Sequence, residues 1–387
     1  MFLILNNSIL PNTRYLLYNI HMSVITVSNL YKRFNLEAGF FARFGRFVNA
    51  VNDISFSIGK NEAYGLVGES GCGKTTTARM LVRMYEADAG EILYYHDDQP
   101  LAIAGLKNEA LRQYREKVRY VFQDPARSLN PRMTVYEVLV SGCRRPLRRR
   151  GINENQLRQK AAIILEEVGL QAADLEKRPS EFSGGQRQRI SIARALLMEP
   201  EVLICDEVVS ALDVSIQGQI LNLLLDIRKK RNISFLFIAH DLKVACYFCD
   251  RIGVMYKGEL MEEAPAANLY NEALHPYTQL LFSSAAGISE DTLAETQRRR
   301  ERRGIGEGKN IPVSNIDSLE SIEDNTTDSR TTTPRLCVSA PLREKNGNVC
   351  SFAPRCPKVT ERCLREHPVL TEINAGHSIR CFNPGGV

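Results

Sequence analysis

The chain lacks any run of about 20 consecutive apolar residues, the length that a helix needs to cross a bilayer. Its amino terminus lacks the basic-then-apolar order of a secretory signal, because asparagines and a proline interrupt the apolar residues there. No internal repeat is evident, and a net charge of +5 is too small to indicate nucleic-acid binding. We therefore expect a globular protein of about two or three domains with no membrane span and no nucleic-acid partner.

Cysteine is unevenly distributed, since five of the ten cysteines fall between Cys337 and Cys381. In a chain without a secretion signal, clustered cysteines indicate metal ligands before disulfides. Four of the five lack the close Cys-x-x-Cys pairs of zinc ribbons, and four thiolates can hold either zinc or an iron–sulfur cluster. Absence of any metal is the third interpretation. These four candidate ligands are Cys350, Cys356, Cys363 and Cys381.

Composition divides the 387 residues into four parts. We interpret residues 1–22 as an amino-terminal extension, with Met22 as an alternative start, and residues 23–287 as the main domain. Residues 288–334 are polar and charged, so they cannot bury enough surface to order themselves and predict a disordered linker. Residues 335–387 then form a small cysteine-rich carboxy-terminal domain.

Short apolar runs alternate with helical patterns in the main domain. Candidate strands lie at 118–122, 202–204 and 235–238, with helical segments between them. This alternation predicts an α/β fold with a parallel sheet. A polar, mostly helical block at about 124–185 predicts an inserted helical subdomain.

A glycine-rich turn follows the short apolar strand that begins at Tyr64, and a helical run follows the turn. This order is typical of a phosphate-binding loop, whose backbone N–H groups turn inward toward phosphate oxygens. In such a loop Lys74 reaches the β- and γ-phosphates of ATP, and the hydroxyl of Thr75 binds Mg²⁺. The residues expected to contact the nucleotide here are Gly68, Ser70, Gly71, Gly73, Lys74, Thr75 and Thr76.

Two carboxylates end a second apolar strand, Val202-Leu-Ile-Cys-Asp206-Glu207. At the end of a buried strand, Asp206 suits Mg²⁺ binding through water, and Glu207 suits proton abstraction from an attacking water. Together with the phosphate loop, the pair predicts ATP hydrolysis.

Further motifs resemble those of the ABC ATPase family. Glu181-Phe-Ser183-Gly-Gly-Gln186 resembles the signature motif that phosphate-loop proteins in general lack. Gln123 resembles the glutamine loop, which implies a role in catalysis and in Mg²⁺ binding, and His240 resembles the switch histidine. One departure is Val208, where many relatives have proline after the catalytic glutamate.

The resemblance implies a parallel-sheet core with an antiparallel β subdomain and an inserted helical subdomain. It also implies a head-to-tail pair of ATPase subunits, which closes when ATP binds and reopens after hydrolysis. An aromatic ring, Phe34 with Phe44 and Phe47 as competitors, would stack on the adenine. The residues that would act across the dimer are Ser183, Gly184, Gly185 and Gln186 of the signature and Asp213 of the dimer-contact loop.

Three longer stretches, at 121–133, 273–281 and 350–357, resemble the oligopeptide and dipeptide importer branch of this family. That resemblance implies a 4Fe-4S cluster on the four cysteines, which the residues alone do not distinguish from zinc. It implies a second, often non-identical ATPase, two membrane permeases and an external solute-binding protein, with this subunit peripheral at the cytoplasmic face of the inner membrane. Some relatives import nickel or other solutes. A non-hydrolysing regulatory module is a further alternative, against which Glu207 and His240 argue.

Overall fold

The computed structural model describes residues 23–35, 47–284 and 349–385. The expected extension at 1–22, the linker at 288–334, Phe44 and Cys337 lie outside the described residues.

Four strands form an antiparallel sheet in the order β2-β1-β4-β5. On β2, the alternating side chains of Ile54, Phe56 and Ile58 are buried, as the period of two in the sequence predicts. The antiparallel subdomain is thereby confirmed. The strands are β1 (Ser23–Asn35), β2 (Phe47–Gly59), β4 (Ala89–His96) and β5 (Gln99–Ala102).

A second sheet has eight strands in the order β11-β12-β10-β9-β3-β8-β7-β6. The neighbours from β9 to β6 are parallel, which confirms the predicted parallel core. The last two strands come from the cysteine-rich region and extend the sheet in antiparallel register. The strands are β3 (Ala63–Val67), β6 (Val118–Val121), β7 (Val202–Asp206), β8 (Ser234–Ala239), β9 (Arg251–Tyr256), β10 (Glu259–Pro265), β11 (Thr371–Asn374) and β12 (His377–Ile379).

Helices connect the strands, and between β6 and β7 the described chain is helical with loops and has no strand. Asn153 begins one of these helices through a capping box with Gln156, which satisfies backbone N–H groups at the helix start. The helices are α1 (Lys74–Leu81), α2 (Asn108–Lys117), α3 (Pro125–Ser128), α4 (Val135–Val140), α5 (Arg144–Arg149), α6 (Glu154–Glu167), α7 (Gly184–Leu196), α8 (Val214–Arg231), α9 (Leu242–Phe248), α10 (Ala266–Asn271) and α11 (Pro276–Ser284).

The central strands β3, β7 and β8 of the eight-stranded sheet are buried on both faces. Tyr64 on β3 packs toward the antiparallel sheet, where its ring stacks on Phe56 at 5.0 Å. Phe235 and Phe237 on β8 point the other way and contact Phe248 of α9. Burial on both faces explains why these strands read as continuous apolar runs. Among the helices of the described chain, none combines the length and apolar character needed to cross a bilayer.

The strand order determines where function can lie. Because β6, β7, β8 and β3 are parallel neighbours, their carboxyl ends meet at one edge of the sheet. Ligands of open α/β sheets bind at that edge. The phosphate loop and the loops that carry Gln123, Glu207 and His240 leave the sheet there.

Candidate active site

The phosphate loop connects β3 to α1, and close backbone contacts require two of its glycines, Gly68 and Gly73. At Gly73, φ is +112°, and a Cβ atom would lie 2.1 Å from the carbonyl oxygen of Ala50. At Gly68, a Cβ atom would lie 2.2 Å from the carbonyl oxygen of Met255. Neither position can carry a side chain without moving the backbone of a neighbouring strand. The loop is therefore held tightly between β2 and β9.

Lys74 lies inside this loop and is almost fully buried. Its ammonium donates hydrogen bonds to the carbonyl oxygens of Gly68 at 2.6 Å and Glu69 at 3.0 Å. The amino group is thus positioned by the loop itself, where phosphate oxygens bind in proteins of this kind. Ser70 and Gly71 at the tip of the loop are exposed, and Thr76 is half-buried on the first turn of α1.

Thr75 and Asp206 come together at the start of α1 and the end of β7. The Thr75 hydroxyl donates to Oδ1 of Asp206 at 3.0 Å, and the hydroxyl of Tyr120 on β6 donates to Oδ2. Burial, and then the nearby Asp206 carboxylate, raise the pKa of Tyr120, so its phenol stays a donor. A hydroxyl and a carboxylate are oxygen ligands of the kind that Mg²⁺ prefers.

Glu207 projects from the turn after β7 beside two other predicted residues. Its carboxylate accepts a hydrogen bond from Nε2 of Gln123 at 2.6 Å. It lines one cavity together with His240, which is exposed at the end of β8. The residue itself adopts a left-handed backbone with φ of +49°, an uncommon conformation for a non-glycine residue that is enriched at active sites. Val208, the departure from the family pattern, is buried in the core.

The signature sequence stands apart from these residues. Ser183 caps α7, where its hydroxyl accepts from the N–H of Gln186 and the Gln186 side chain accepts from the N–H of Ser183. Both side chains are exposed, and Gly184 and Gly185 form the first turn. Asp213 is likewise exposed at the start of α8. Within the described ranges, no hydrogen bond or ion pair joins this helix start to the phosphate loop.

The adenine platform remains a prediction. Phe34 is half-buried at the end of β1, and the edge of Tyr85 meets its ring at a centroid distance of 5.3 Å. Phe47 is 43% exposed and lies under Arg33. Both rings therefore remain candidates for stacking on a base.

The four cysteines lie close to one another without forming a metal site. Burial raises the pKa of the Cys350 thiol, and the thiols of Cys363 and Cys356 nearby raise it further. The backbone N–H of Cys350 also donates to the carbonyl of Cys363 at 3.0 Å. Across the residues that the structure describes, however, no three His, Cys, Asp or Glu side chains converge as metal ligands. The geometry thus does not support the expected iron–sulfur cluster, although the donor set has the right chemistry.

Three contacts of the site were not predicted from sequence. The first is Tyr120 on Asp206. The other two are on Glu69, whose N–H donates to the hydroxyl of Tyr277 and whose carboxylate pairs with Arg355. The contact of Tyr120 could have been found from sequence. Tyr120 is near the end of the strand before Gln123, and that strand was predicted to run parallel to the one that ends at Asp206. For Arg355, 286 residues from Glu69, no local pattern could have shown the contact.

The fold and this edge define a phosphate-loop ATPase of the ABC type. A family model described as "ABC transporter" matches residues 51–210, and one described as "Oligopeptide/dipeptide transporter, C-terminal region" matches residues 261–308 and 319–363. Among solved structures, the dimeric ATP-binding cassette MJ0796 in a post-hydrolysis state with ADP and Pi is 26% identical with a TM-score of 0.53, covering 62% of this chain and 98% of that one.

Two relatives are more similar in sequence. "Oligopeptide transport ATP-binding protein OppF" of Bacillus subtilis is 48% identical over 61% of this chain and 76% of its own length. "Probable peptide ABC transporter ATP-binding protein y4tS" of Sinorhizobium fredii is 36% identical over 93% of this chain and 89% of its own length. The chain belongs to the ATP-binding subunits of ABC transporters, in the oligopeptide/dipeptide transporter family.

Proposed function

We propose that this subunit hydrolyses ATP at the carboxyl edge of its large sheet to power the import of oligopeptides or dipeptides. The observation that carries the proposal is the hydrogen bond between Gln123 and Glu207, beside His240 and next to the Thr75–Asp206 pair. These groups come from four separate loops. A base, a phosphate-binding lysine and oxygen ligands for Mg²⁺ thereby meet at one place.

Each residue has a role in the hydrolysis. Lys74 and the N–H groups of the phosphate loop bind the phosphates, and Thr75, Gln123 and Asp206 would hold Mg²⁺, in part through water. Bound Mg²⁺ would neutralise charge on the phosphate oxygens. Glu207 removes a proton from the attacking water, whose oxygen forms the new bond to the γ-phosphorus as the bond to ADP breaks. Glu207 and Gln123 begin in contact, so the base is already oriented.

The signature sequence completes the site in a second subunit. Its exposed capping box at Ser183 leaves the N-terminus of the 13-residue helix α7 accessible, and helix N-termini bind phosphate. The solved ATP-binding cassette MJ0796 is a dimer with ADP and Pi, which supports a pair of ATPase subunits. We expect Asp213 at the same interface. The partner ATPase in this proposal is a non-identical subunit.

The substrate and the other partners follow from the relatives, which are named for peptide transport. Two membrane permeases would bind this subunit near residues 124–133, and an external binding protein would deliver the peptide. The subunit would then lie at the cytoplasmic face of the inner membrane. Nickel or another small solute remains the alternative substrate, since an ATPase subunit does not itself contact the cargo.

An iron–sulfur cluster on Cys350, Cys356, Cys363 and Cys381 is a separate part of the proposal. Its support is that the chain brings Cys350 against Cys363, whose carbonyl accepts a hydrogen bond from the N–H of Cys350 at 3.0 Å. The short hairpin and turns around them bury few large side chains, and a bound metal stabilises units of that size.

The decisive experiment is a Glu207→Gln change in the assembled transporter. We expect peptide uptake and ATP hydrolysis to fall about 10²- to 10⁴-fold, the usual contribution of a general base, with ATP binding changed less than about threefold. Glu361→Gln is the matched control, because that carboxylate is 85% exposed and pairs only with Arg365 among described residues. If the Glu207→Gln transporter kept its full rate of ATP hydrolysis, the partner ATPase would be the subunit that hydrolyses ATP. This subunit would then be a non-hydrolysing regulatory module.

A further inference from the structure

The carboxy-terminal region reaches back to the phosphate loop through one arginine. Both guanidinium nitrogens of Arg355 donate to the carboxylate of Glu69, at 2.9 and 2.8 Å. Such a bidentate pair specifies orientation as well as distance. Glu69 is the second residue of the loop, directly after Gly68. The structure therefore connects the segment between Cys350 and Cys356 to the element that binds phosphate.

Arg355 is itself held by an aromatic cluster in the core. It ends the short helical turn Ala353–Arg355, and its backbone N–H donates to the carbonyl of Phe352 at 2.9 Å. Phe352 is fully buried, with its ring 5.3 Å from those of Tyr256 and Tyr277. The guanidinium also lies 5.8 Å from the centre of the Tyr256 ring. A long, flexible side chain is thus held at its backbone and at its guanidinium, which lowers the entropy that the ion pair must overcome.

Glu69 is held on all its polar groups. Its N–H donates to the hydroxyl of Tyr277 at 3.0 Å, and its carbonyl oxygen accepts from the ammonium of Lys74 at 3.0 Å. Its carboxylate is the partner of Arg355. The backbone of residue 69 consequently sets the position of Lys74, and two residues outside the ATPase motifs set the position of residue 69.

We propose that Arg355 is a positioning residue for the phosphate loop, so that the docked carboxy-terminal region sets the affinity of this subunit for ATP. The inference rests on the proposed function, because it assumes that residues 68–75 bind the phosphates. Arg355 acts through Glu69 and does not touch the nucleotide. Tyr277 assists it from the buried side of the same loop.

The size of the effect follows from the exposure of the pair. Both side chains are 40% exposed, so water screens the ion pair, and exposed pairs contribute little on average. Because this pair is bidentate and its guanidinium lies against an aromatic ring, we expect it to be among the stronger exposed ion pairs. We expect removal of Arg355 to raise the dissociation constant of ATP about three- to fivefold.

The test is a double-mutant cycle on the assembled transporter with Arg355→Gln, Glu69→Gln and the double variant. Binding of a fluorescent ATP analogue and steady-state ATPase kinetics are measured for each. We expect each single change to raise the dissociation constant and the KM about three- to fivefold with kcat within about twofold, and the double variant to match either single change. Arg355→Lys, which keeps the charge and one hydrogen bond, should recover part of the loss.

The control is Arg365→Ala, because Arg365 belongs to the same region, is 75% exposed and pairs with Glu361 alone among described residues. It should leave binding unchanged. Additive effects of the two single changes, or an unchanged dissociation constant in Arg355→Gln, would overturn the proposal. If Arg355→Gln unfolds the region, Glu69→Gln still tests the pair from the other side. Lys74→Ala should abolish ATP binding at this subunit's phosphate loop, leaving only the binding by the partner ATPase, and if it does not, the phosphate loop itself is misassigned.

Discussion

The nucleotide edge and the cysteine region differ in how their side chains are held. At the nucleotide edge, Thr75 and Asp206 are 131 residues apart in sequence and 3.0 Å apart in space, because each ends or follows a rigid parallel strand. In the cysteine region, the thiols lie on or beside short turns, with Cys381 just beyond β12, and no three of them converge within the described part of the chain. The sequence spacing of candidate ligands therefore predicts their positions in space only where packed strands and helices hold the backbone.

The strongest test of that rigidity is Gly73→Ala. The added methyl group would lie 2.1 Å from the Ala50 carbonyl oxygen at a φ of +112°, so β2 or the loop must move. We expect ATP hydrolysis to fall at least about 100-fold, since a displacement of about 1 Å has that effect at such sites. Gly142→Ala is the control, because a methyl group there has no atom within 4 Å and should leave hydrolysis unchanged. Normal activity of Gly73→Ala would show that the loop is not tightly held.

In the cysteine region, the corresponding test is iron content. Protein purified without oxygen should be brown and hold about four iron atoms per chain if the four cysteines bind a 4Fe-4S cluster. Cys350→Ser should remove most of the iron. Cys143→Ser should not, because that thiol is buried between α4 and α5, where it donates to the carbonyl of Leu139. Zinc without iron in the anaerobic sample would refute the cluster, and so would no metal at all, which would agree with the lack of three converging ligands among the described residues.

His275 lies where the cysteine region packs against the segment that contacts the phosphate loop. Its ring is 5.7 Å from Phe352, and its Nδ1 accepts a hydrogen bond from the N–H of Tyr277. Burial lowers the pKa of His275 from 6.5 to about 4. Between pH 4 and pH 6.5, His275 binds a proton in the unfolded chain but not in the folded chain. The folded state is therefore not penalised by His275 above pH 6.5, and the free energy of unfolding falls as the pH drops toward 4.

The loss over that interval is about 3 kcal/mol in the free energy of unfolding. It is measured by urea unfolding of the chain between pH 4.5 and 7.5. His275→Asn, which keeps an acceptor for the Tyr277 N–H, should flatten this part of the pH profile. His96→Asn, at a histidine whose side chain is 51% exposed, should not. If the free energy of unfolding depended on pH equally in His275→Asn and in the unchanged chain, other groups would carry the pH dependence.

Much of the fold and of the nucleotide edge was predictable, because local patterns determine both. Apolar runs located β6, β7 and β8, and the glycine-rich turn predicted the helix that follows it, α1. The contacts of Tyr120 and Arg355 were not predictable, because they join segments that only the tertiary fold brings together. The pairing of β12 with β10 was missed for the same reason, since composition alone separated the cysteine region from the main domain.

The smallest expected effect is that of Tyr120→Phe, which tests whether the support behind Asp206 matters for the nucleotide edge. The change removes one of two hydrogen bonds to a carboxylate that is 2% exposed, while the ring keeps its packing against Phe122. Hydrogen bonds to buried charges contribute about 1.5–3 kcal/mol, but Mg²⁺ and water can satisfy the freed oxygen, so we expect about a fivefold fall in kcat/KM. The fall should shrink as the Mg²⁺ concentration rises. Tyr136→Phe is the control, because it removes a similar hydroxyl, one that donates to Glu154 between β6 and β7, and it should leave kcat/KM unchanged. If kcat/KM were also unchanged in Tyr120→Phe, Thr75 alone would position Asp206.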